Sequence, residues 1–248
     1  MIKFFVAYPS KPASITDTIE TTINNLEGDD KIEITSWRNL DITGRFLIDG
    51  IQNKIDDVDC LVCDITNLNF NVLFEIGYAI SKQKRVLPIL NKTIWSEEKQ
   101  LDNFGVFDTL GYFEYENSDD LTSFILDIEN IDPLEFPQEE IEKKSPIYVL
   151  RPLFKSDATV RLISRIKKTR IGYRSFDPSE QSRLSLVDVY RNINRSLAII
   201  VQLLADFATD YKSNNFRGAF IAGISYGLKK ELLILQEGDS PIPLDYRD

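Results

Sequence analysis

Residues 59–90 read DCLVCDITNLNFNVLFEIGYAISKQKRVLPIL, and this stretch decides the fold. It opens with the apolar run DCLVCDI over 59–65, continues with a longer apolar run near 70–82, and closes with RVLPIL over 85–90. The two outer runs have the length of buried strands, whereas the middle run has the length of a helix. A strand, a helix and a second strand in this order indicate a βαβ unit of a parallel sheet.

The same alternation extends on both sides of this unit. Strand-like runs occur at 2–8, 31–37 and 110–115, and helical spacing occurs at 15–26, 45–57 and 118–131. Regular alternation of strands and helices favours a parallel sheet with helices on both faces. We therefore expect a doubly wound, flavodoxin-like layer structure.

The second half of the chain repeats the first. Three segments match in the same order: 146–152 with 3–9, 186–203 with 48–65, and 215–235 with 69–89. Matching order in three segments indicates an internal duplication. The predicted fold is therefore α/β, with two related flavodoxin-like (Rossmannoid) parallel-sheet lobes.

A change of composition separates the two copies. The stretch DPLEFPQEEIEKKSP, which begins at Asp132, is rich in proline and in charged residues. Such composition is typical of a linker. We predict a catalytic lobe at 1–131, a linker at 132–145 and a degenerate second copy at 146–248.

Composition and charge exclude several kinds of function. Among the 248 residues, 43% are hydrophobic and the net charge is −10, which argues for a globular protein without broad nucleic-acid binding. No apolar stretch is long enough for a membrane span and no signal peptide is recognisable, so a cytoplasmic location is expected. Histidine is absent, and Cys60 and Cys63 are the only cysteines. Histidine-dependent catalysis is excluded, and no metal site is predicted.

One carboxylate, Glu75, interrupts the apolar run VLFEIGYAI at 72–80. Its helix starts at the carboxyl end of the preceding strand, where open α/β sheets bind ligands. With Asn69 or Asn71 as N-cap, Glu75 would lie near the end of the first turn, where the helix dipole favours an anion. Gly77 would permit the close approach of a neighbouring element or a ligand.

The duplication allows a comparison inside the chain. Ile221 stands where Glu75 is expected in the second copy, and Gln202 stands where Asp64 is expected. A carboxylate needed for folding would be expected in both copies, so the second lobe is predicted to be chemically silent. The alternative is a structural role for Glu75, for example an ion pair with Arg45.

The string Asn-Val-x-x-Glu-x-Gly-x-Ala from Asn71 to Ala79 carries a family resemblance, together with FFVAYPS and GIQNKIDDVDCLVCDIT before it. It resembles the nucleoside 2-deoxyribosyltransferase superfamily and the neighbouring bacterial TIR-like nucleotide-binding domains, over roughly residues 2–90. Both groups cleave N-glycosidic bonds with a glutamate on this helix. The resemblance implies an enzyme that acts on a nucleoside, a nucleotide or NAD as substrate and needs no cofactor.

The resemblance also implies catalytic roles. Glu75 would be the nucleophile or the oxocarbenium stabiliser, and the hydroxyl of Tyr8 would orient it. Cleaving a C–N glycosidic bond builds positive charge on the sugar, which a carboxylate in a partly dry cleft stabilises or traps. A second acid would help the base to leave; Asp64 is the first choice, followed by Asp41 and Asp49.

Substrate contacts are expected from Asn69, Asn71, Gly77 and Arg45, the last of which could meet a phosphate. Deoxyribosyltransferases usually have an aspartate six positions before the catalytic glutamate, where this chain has Asn69. A dinucleotide such as NAD is therefore at least as well supported as a free deoxynucleoside.

Other interpretations stay open. Both lobes could bind a nucleotide without cleaving it, and the basic segment RLISRIKKTR at 161–170 could contact a phosphate or a partner. The chain could also be part of a longer protein. The TIR-like resemblance further suggests a bacterial antiphage defence effector, with a homo-oligomer or a defence-system protein as its partner.

Overall fold

The computed structural model describes residues 1–41, 43, 46–94, 104–181 and 183–238. Within these residues each half of the chain forms a sheet of parallel strands flanked by helices. The protein is thus α/β with two flavodoxin-like lobes, which confirms the predicted fold class. No helix in these ranges has the length and apolar character that crossing a membrane requires.

The first lobe contains a five-stranded parallel sheet. Its strands are β1 (Ile2–Ala7), β2 (Ile32–Ser36), β3 (Cys60–Asp64), β4 (Arg85–Asn91) and β5 (Phe113–Tyr115). Its helices are α1 (Ala13–Leu26), α2 (Leu47–Asp57), α3 (Phe70–Ser81) and α4 (Ser118–Leu126). The strands lie in the order β2-β1-β3-β4-β5. Helices α1 and α4 cover one face of this sheet, and α2 and α3 cover the other.

The second lobe repeats this arrangement with a four-stranded parallel sheet. Its elements are β6 (Ile147–Leu150), α5 (Asp157–Lys168), β7 (Tyr173–Phe176), α6 (Leu186–Asn194), β8 (Ala198–Leu203), α7 (Tyr211–Gly227) and β9 (Glu231–Gln236). The strand order β7-β6-β8-β9 reproduces the order β2-β1-β3-β4 of the first lobe. The predicted correspondence between the two halves therefore holds strand by strand.

Some elements are shorter than the sequence predicts. Helix α2 begins at Leu47 rather than at Arg45, and β5 covers only the last part of the expected strand at 110–115. Helix α4 ends at Leu126 rather than at Ile131. Its buried face consists of Leu121 and Ile125, whereas Ile131 is exposed. Since a helix of this length depends on tertiary packing, it ends where its buried face ends.

Two glycines bring the backbones of α3 and α7 together. A Cβ atom added at Gly77 would clash with the carbonyl oxygen of Phe220 and lie 2.9 Å from the nitrogen of Ile224. A Cβ atom at Gly223 would clash with the carbonyl oxygen of Phe74. The helices therefore pack more closely than any side chain at these two positions would allow.

The contact between α3 and α7 joins the cores of the two lobes. A single cluster of buried apolar residues includes Phe5 and Leu61 from the first sheet, Phe220 from α7, and Tyr148 and Ile199 from the second sheet. The inner faces of both sheets therefore share one hydrophobic core.

The predicted linker packs against the second lobe. The ring of Phe136 stacks on Tyr190 with ring centroids 3.9 Å apart, and Glu142 forms an ion pair with Arg195 at 3.0 Å. The segment 132–145 has no regular secondary structure over most of its length, but these contacts hold it to the surface of the second copy.

Candidate functional site

Glu75 is buried on the face of α3 that meets α2. Its residue surface is 7% exposed. The small space beside it is lined by Ile51, Gln52 and Ile55 of α2, together with Tyr78 of α3, and it is too small to hold a water molecule. Burial raises the pKa of the Cys63 thiol in β3, and the charges of Asp64 and Glu75 add to this rise. The Glu75 carboxylate therefore lies near the end of β3. Glu75 is therefore largely shielded from solvent.

The start of α3 is defined by Asn69. Its side-chain oxygen accepts hydrogen bonds from the backbone N–H groups of Asn71 at 2.9 Å and Val72 at 3.3 Å, so Asn69 is the N-cap. Glu75 is then six residues beyond the cap, in the second turn rather than the first. The field of the helix dipole falls off within the first turn, so it favours the anion less than the sequence predicts. The predicted N-cap role of Asn69 is confirmed, and its predicted contact with a substrate stays a prediction.

Tyr8 follows β1 and is buried on the opposite face of the sheet, in the apolar cluster that α1 and α4 cover. Its hydroxyl donates a hydrogen bond to Glu20 of α1 and lies 3.4 Å from the Oγ atom of Ser36. Burial and the contact with Glu20 raise the pKa of Tyr8 far above its ordinary value. The expected orientation of Glu75 by Tyr8 is therefore not found, because Tyr8 is engaged with a different carboxylate.

Asp64 ends β3 and is completely buried. Its carboxylate accepts hydrogen bonds from the hydroxyl of Tyr115 at 2.8 Å, the hydroxyl of Thr66 at 3.0 Å and the backbone N–H of Thr66 at 3.1 Å. Burial raises the pKa of Asp64 to about 6, although these hydrogen bonds oppose the rise. Asp64 thus belongs to a closed internal network and does not line a cleft.

The sheet separates the predicted catalytic residues. Side chains alternate along a strand, so the neighbours Cys63 and Asp64 point to opposite faces. Cys63 belongs to the core shared with α3, whereas Asp64 bonds to Tyr115 in the cluster that also contains Tyr8. Glu75 lies on the first of these faces. The structure does not bring Tyr8 or Asp64 beside Glu75.

The remaining predicted site residues do not form a common cluster among the described residues. Gly77 is covered by α7, so it permits the approach of a helix and not of a substrate. Asn71 is half-buried in the first turn of α3. Asp41 and Asp49 are both exposed, and Asp41 accepts a hydrogen bond from the backbone of Thr43 at 3.3 Å. Arg45 lies outside the described residues.

Sequence reasoning missed a polar cluster at the carboxyl ends of β1 and β2. The carboxylate of Glu20 accepts hydrogen bonds from Tyr8 and from the Oγ atom of Ser36 at 3.1 Å, and Ser36 also bonds to Asn39 at 2.8 Å. The sequence does contain a signal for this carboxylate, because Glu20 lies between the buried residues Ile19 and Ile23 of α1. It is a carboxylate on a partly buried helix face, as Glu75 is.

The second lobe has different chemistry at the equivalent positions. Arg151, in the place of Tyr8, pairs with Asp177 at 2.5 Å. Gln202, in the place of Asp64, accepts a hydrogen bond from the hydroxyl of Thr159 at 2.9 Å. An uncharged amide thus replaces the buried carboxylate.

Comparison with known protein families, curated proteins and solved structures finds no match to this chain. Within the part of the chain that the structure describes, no three His, Cys, Asp or Glu side chains are grouped as metal ligands would be.

Proposed function

We propose that the first lobe cleaves the N-glycosidic bond of a nucleoside, a nucleotide or an NAD-type dinucleotide, with Glu75 as the catalytic carboxylate. The observation that supports this most is the asymmetry between the copies. Glu75 is buried on α3 among apolar residues, whereas Ile221 holds the same place on α7. A carboxylate is costly to bury, and this one has no counterpart at the equivalent position of a lobe with the same fold.

The environment of Glu75 suits the proposed reaction. Departure of the base leaves positive charge on the anomeric carbon, and a carboxylate acts most strongly on that charge where water is excluded. Because the space between α2 and α3 beside Glu75 does not hold a water molecule, a substrate that approaches from this side requires the two helices to move apart. Hydrolysis and transfer of the sugar both begin with this cleavage of the bond between the sugar and the base.

The experiment is incubation of the purified protein with NAD, NADP, ATP and a panel of nucleosides and deoxynucleosides, followed by chromatography for the free base. We expect release of base from one class of substrate, and we expect Glu75→Gln to lower its rate by about a hundredfold or more. The matched control is Glu129→Gln, which removes an exposed carboxylate from the same lobe and should leave the rate unchanged. Full activity in Glu75→Gln would contradict the proposal.

A second candidate function is nucleotide sensing without cleavage. It is favoured by the separation of Tyr8 and Asp64 from Glu75, since neither residue assists the carboxylate in this structure. In that case a nucleotide binds equally well to the wild-type protein and to Glu75→Gln, and no substrate in the panel releases its base.

The proposed cellular setting follows from the TIR-like resemblance. We propose a cytoplasmic bacterial defence effector that depletes a nucleotide when it is triggered, alone as a homo-oligomer or with a defence-system protein. The net charge of −10 is in keeping with a small-molecule substrate rather than a nucleic acid.

A further inference from the structure

A basic groove lies along α5 in the second lobe. It has a volume of about 570 Å³ and is lined by four cationic side chains, Arg151, Lys155, Lys167 and Lys168. The size is that of a small-molecule binding site.

The charge of the groove is opposite to that of the protein. The chain has 39 acidic and 29 basic residues, yet the described residues that line the groove include no acid. Asp177 lies beside the groove, where Arg151 and Lys155 both help to lower its pKa. Lys167 and Lys168 are exposed, and neither takes part in an ion pair among the described residues. A concave surface with one sign of charge concentrates ions of the opposite sign.

One of the four cations is held in a fixed position. The guanidinium of Arg151 pairs with Asp177 at 2.5 Å, and Asp177 is itself fixed by hydrogen bonds from the Ser179 hydroxyl at 2.6 Å and the Ser179 N–H at 3.0 Å. Arg151 directly follows β6, at the edge of the sheet where open α/β folds bind ligands. A guanidinium that is fixed before binding loses less conformational entropy when an anion arrives.

Two acidic residues of the segment between the lobes are engaged away from the groove. Glu142 pairs with Arg195 at 3.0 Å, and Glu139 lies 3.5 Å from Arg191. Both carboxylates are thus engaged on α6 and the residue that follows it. Neither of these two carboxylates therefore neutralises the groove.

We propose that the basic groove binds a small molecule with two or more phosphates. The groove follows a helix of 12 residues, which is about 18 Å long and therefore suits a compact ligand. Val160 and Ile163 also line it and supply an apolar surface for an uncharged part of the ligand. A long polyanion would extend from the groove onto the surface of a protein with a net charge of −10. This site is separate from the cleavage chemistry proposed for Glu75.

The test is isothermal titration calorimetry of the full chain with ATP, NAD, inorganic tripolyphosphate and a short single-stranded oligonucleotide. We expect saturable binding of ATP or tripolyphosphate at physiological salt. The double variant Lys167→Gln/Lys168→Gln should weaken that binding by about tenfold or more, because each lysine supplies a charge-assisted hydrogen bond to a phosphate.

The matched control is Arg161→Gln/Arg165→Gln. These two exposed residues belong to the same helix but do not line the groove, and the substitution removes the same charge. It should change the affinity by less than about twofold, since exposed charges at a distance are screened.

Equal weakening by both pairs, or no saturable binding of any phosphate compound, would overturn the proposal. Tighter binding of the oligonucleotide than of ATP would overturn the small-ligand assignment. Glu75→Gln should bind as the wild type does, so this result stands apart from the outcome of the cleavage assay.

Discussion

At the scale of single residues, two buried carboxylates of the first lobe differ in what surrounds them. Asp64 is satisfied by Tyr115 and Thr66, which makes it part of the structure of the sheet edge. Glu75 lies against the apolar residues Ile51 and Ile55 of α2. The sequence marks both residues as unusual, because each is acidic in an apolar run. It does not show that Asp64 belongs to a closed network, since that depends on Tyr115, which is distant along the chain.

The raised pKa of Asp64 predicts a pH dependence of stability. Because the folded-state value of about 6 is above the ordinary value of about 3.9, the folded state binds more protons between these two values. The contribution of Asp64 to the free energy of unfolding is therefore fully present below about pH 4. It is lost as the pH rises through about 6, and the total loss is about 3 kcal/mol. Asp64→Asn should remove this loss.

Urea unfolding at a series of pH values between 4 and 7.5 measures the effect. The free energy of unfolding of the wild type should fall relative to that of Asp64→Asn as the pH rises. The control Asp206→Asn, at an exposed position, should run parallel to the wild type. Parallel curves for Asp64→Asn as well would show that the aspartate is not buried as described.

At the scale of secondary-structure elements, the βαβ pattern of residues 59–90 predicts β3, α3 and β4 to within a residue or two at each boundary. The apolar periodicity and the Asn69 cap are local signals, so they are visible in the sequence. The partner of α3 is not visible, because Gly77 has the same sequence signature whether a ligand or a helix approaches it. The structure shows that the neighbour is α7.

The close packing of α3 and α7 predicts that Gly77→Ala is destabilising. The added methyl group would clash with the carbonyl oxygen of Phe220 and lie 2.9 Å from the nitrogen of Ile224. Since backbone cannot move aside as a flexible side chain can, we expect a loss of about 2 kcal/mol or more in the free energy of unfolding. Thermal or urea unfolding measures it.

Gly111→Ala provides the control for this substitution. No heavy atom lies within 4 Å of a Cβ atom at Gly111, so the same chemical change should cost less than about 0.5 kcal/mol. If both alanine variants were equally stable, the described contact between the helices would be wrong.

At the scale of the whole molecule, the internal repeat predicts two lobes but does not predict how they pack against each other. Matching segments show that the second sheet copies the first, and the strand orders agree. The sequence does not show that α3 and α7 meet, because both are apolar on several faces and each could be buried within its own lobe. One continuous core across both lobes is the feature that only the structure supplies.

The shared core predicts a single unfolding transition. Both tryptophans, Trp37 and Trp95, belong to the first half of the sequence, whereas circular dichroism reports on the helices of both halves. In urea, tryptophan fluorescence and circular dichroism should therefore give coincident midpoints, because neither lobe can lose its partner and keep its core. Gly77→Ala should shift both midpoints together. Two separate midpoints in the wild type would show that the lobes unfold independently.

The pairing of Gly77 with Phe220, and of Gly223 with Phe74, is reciprocal. It is the self-complementary geometry of a homodimer interface, here made within one chain. Covalent connection gives the two halves an effective concentration that is in the millimolar range for short connections, so their association does not depend on how much protein is present. The two halves can therefore differ at equivalent positions, as Glu75 and Ile221 do, and still pack against each other.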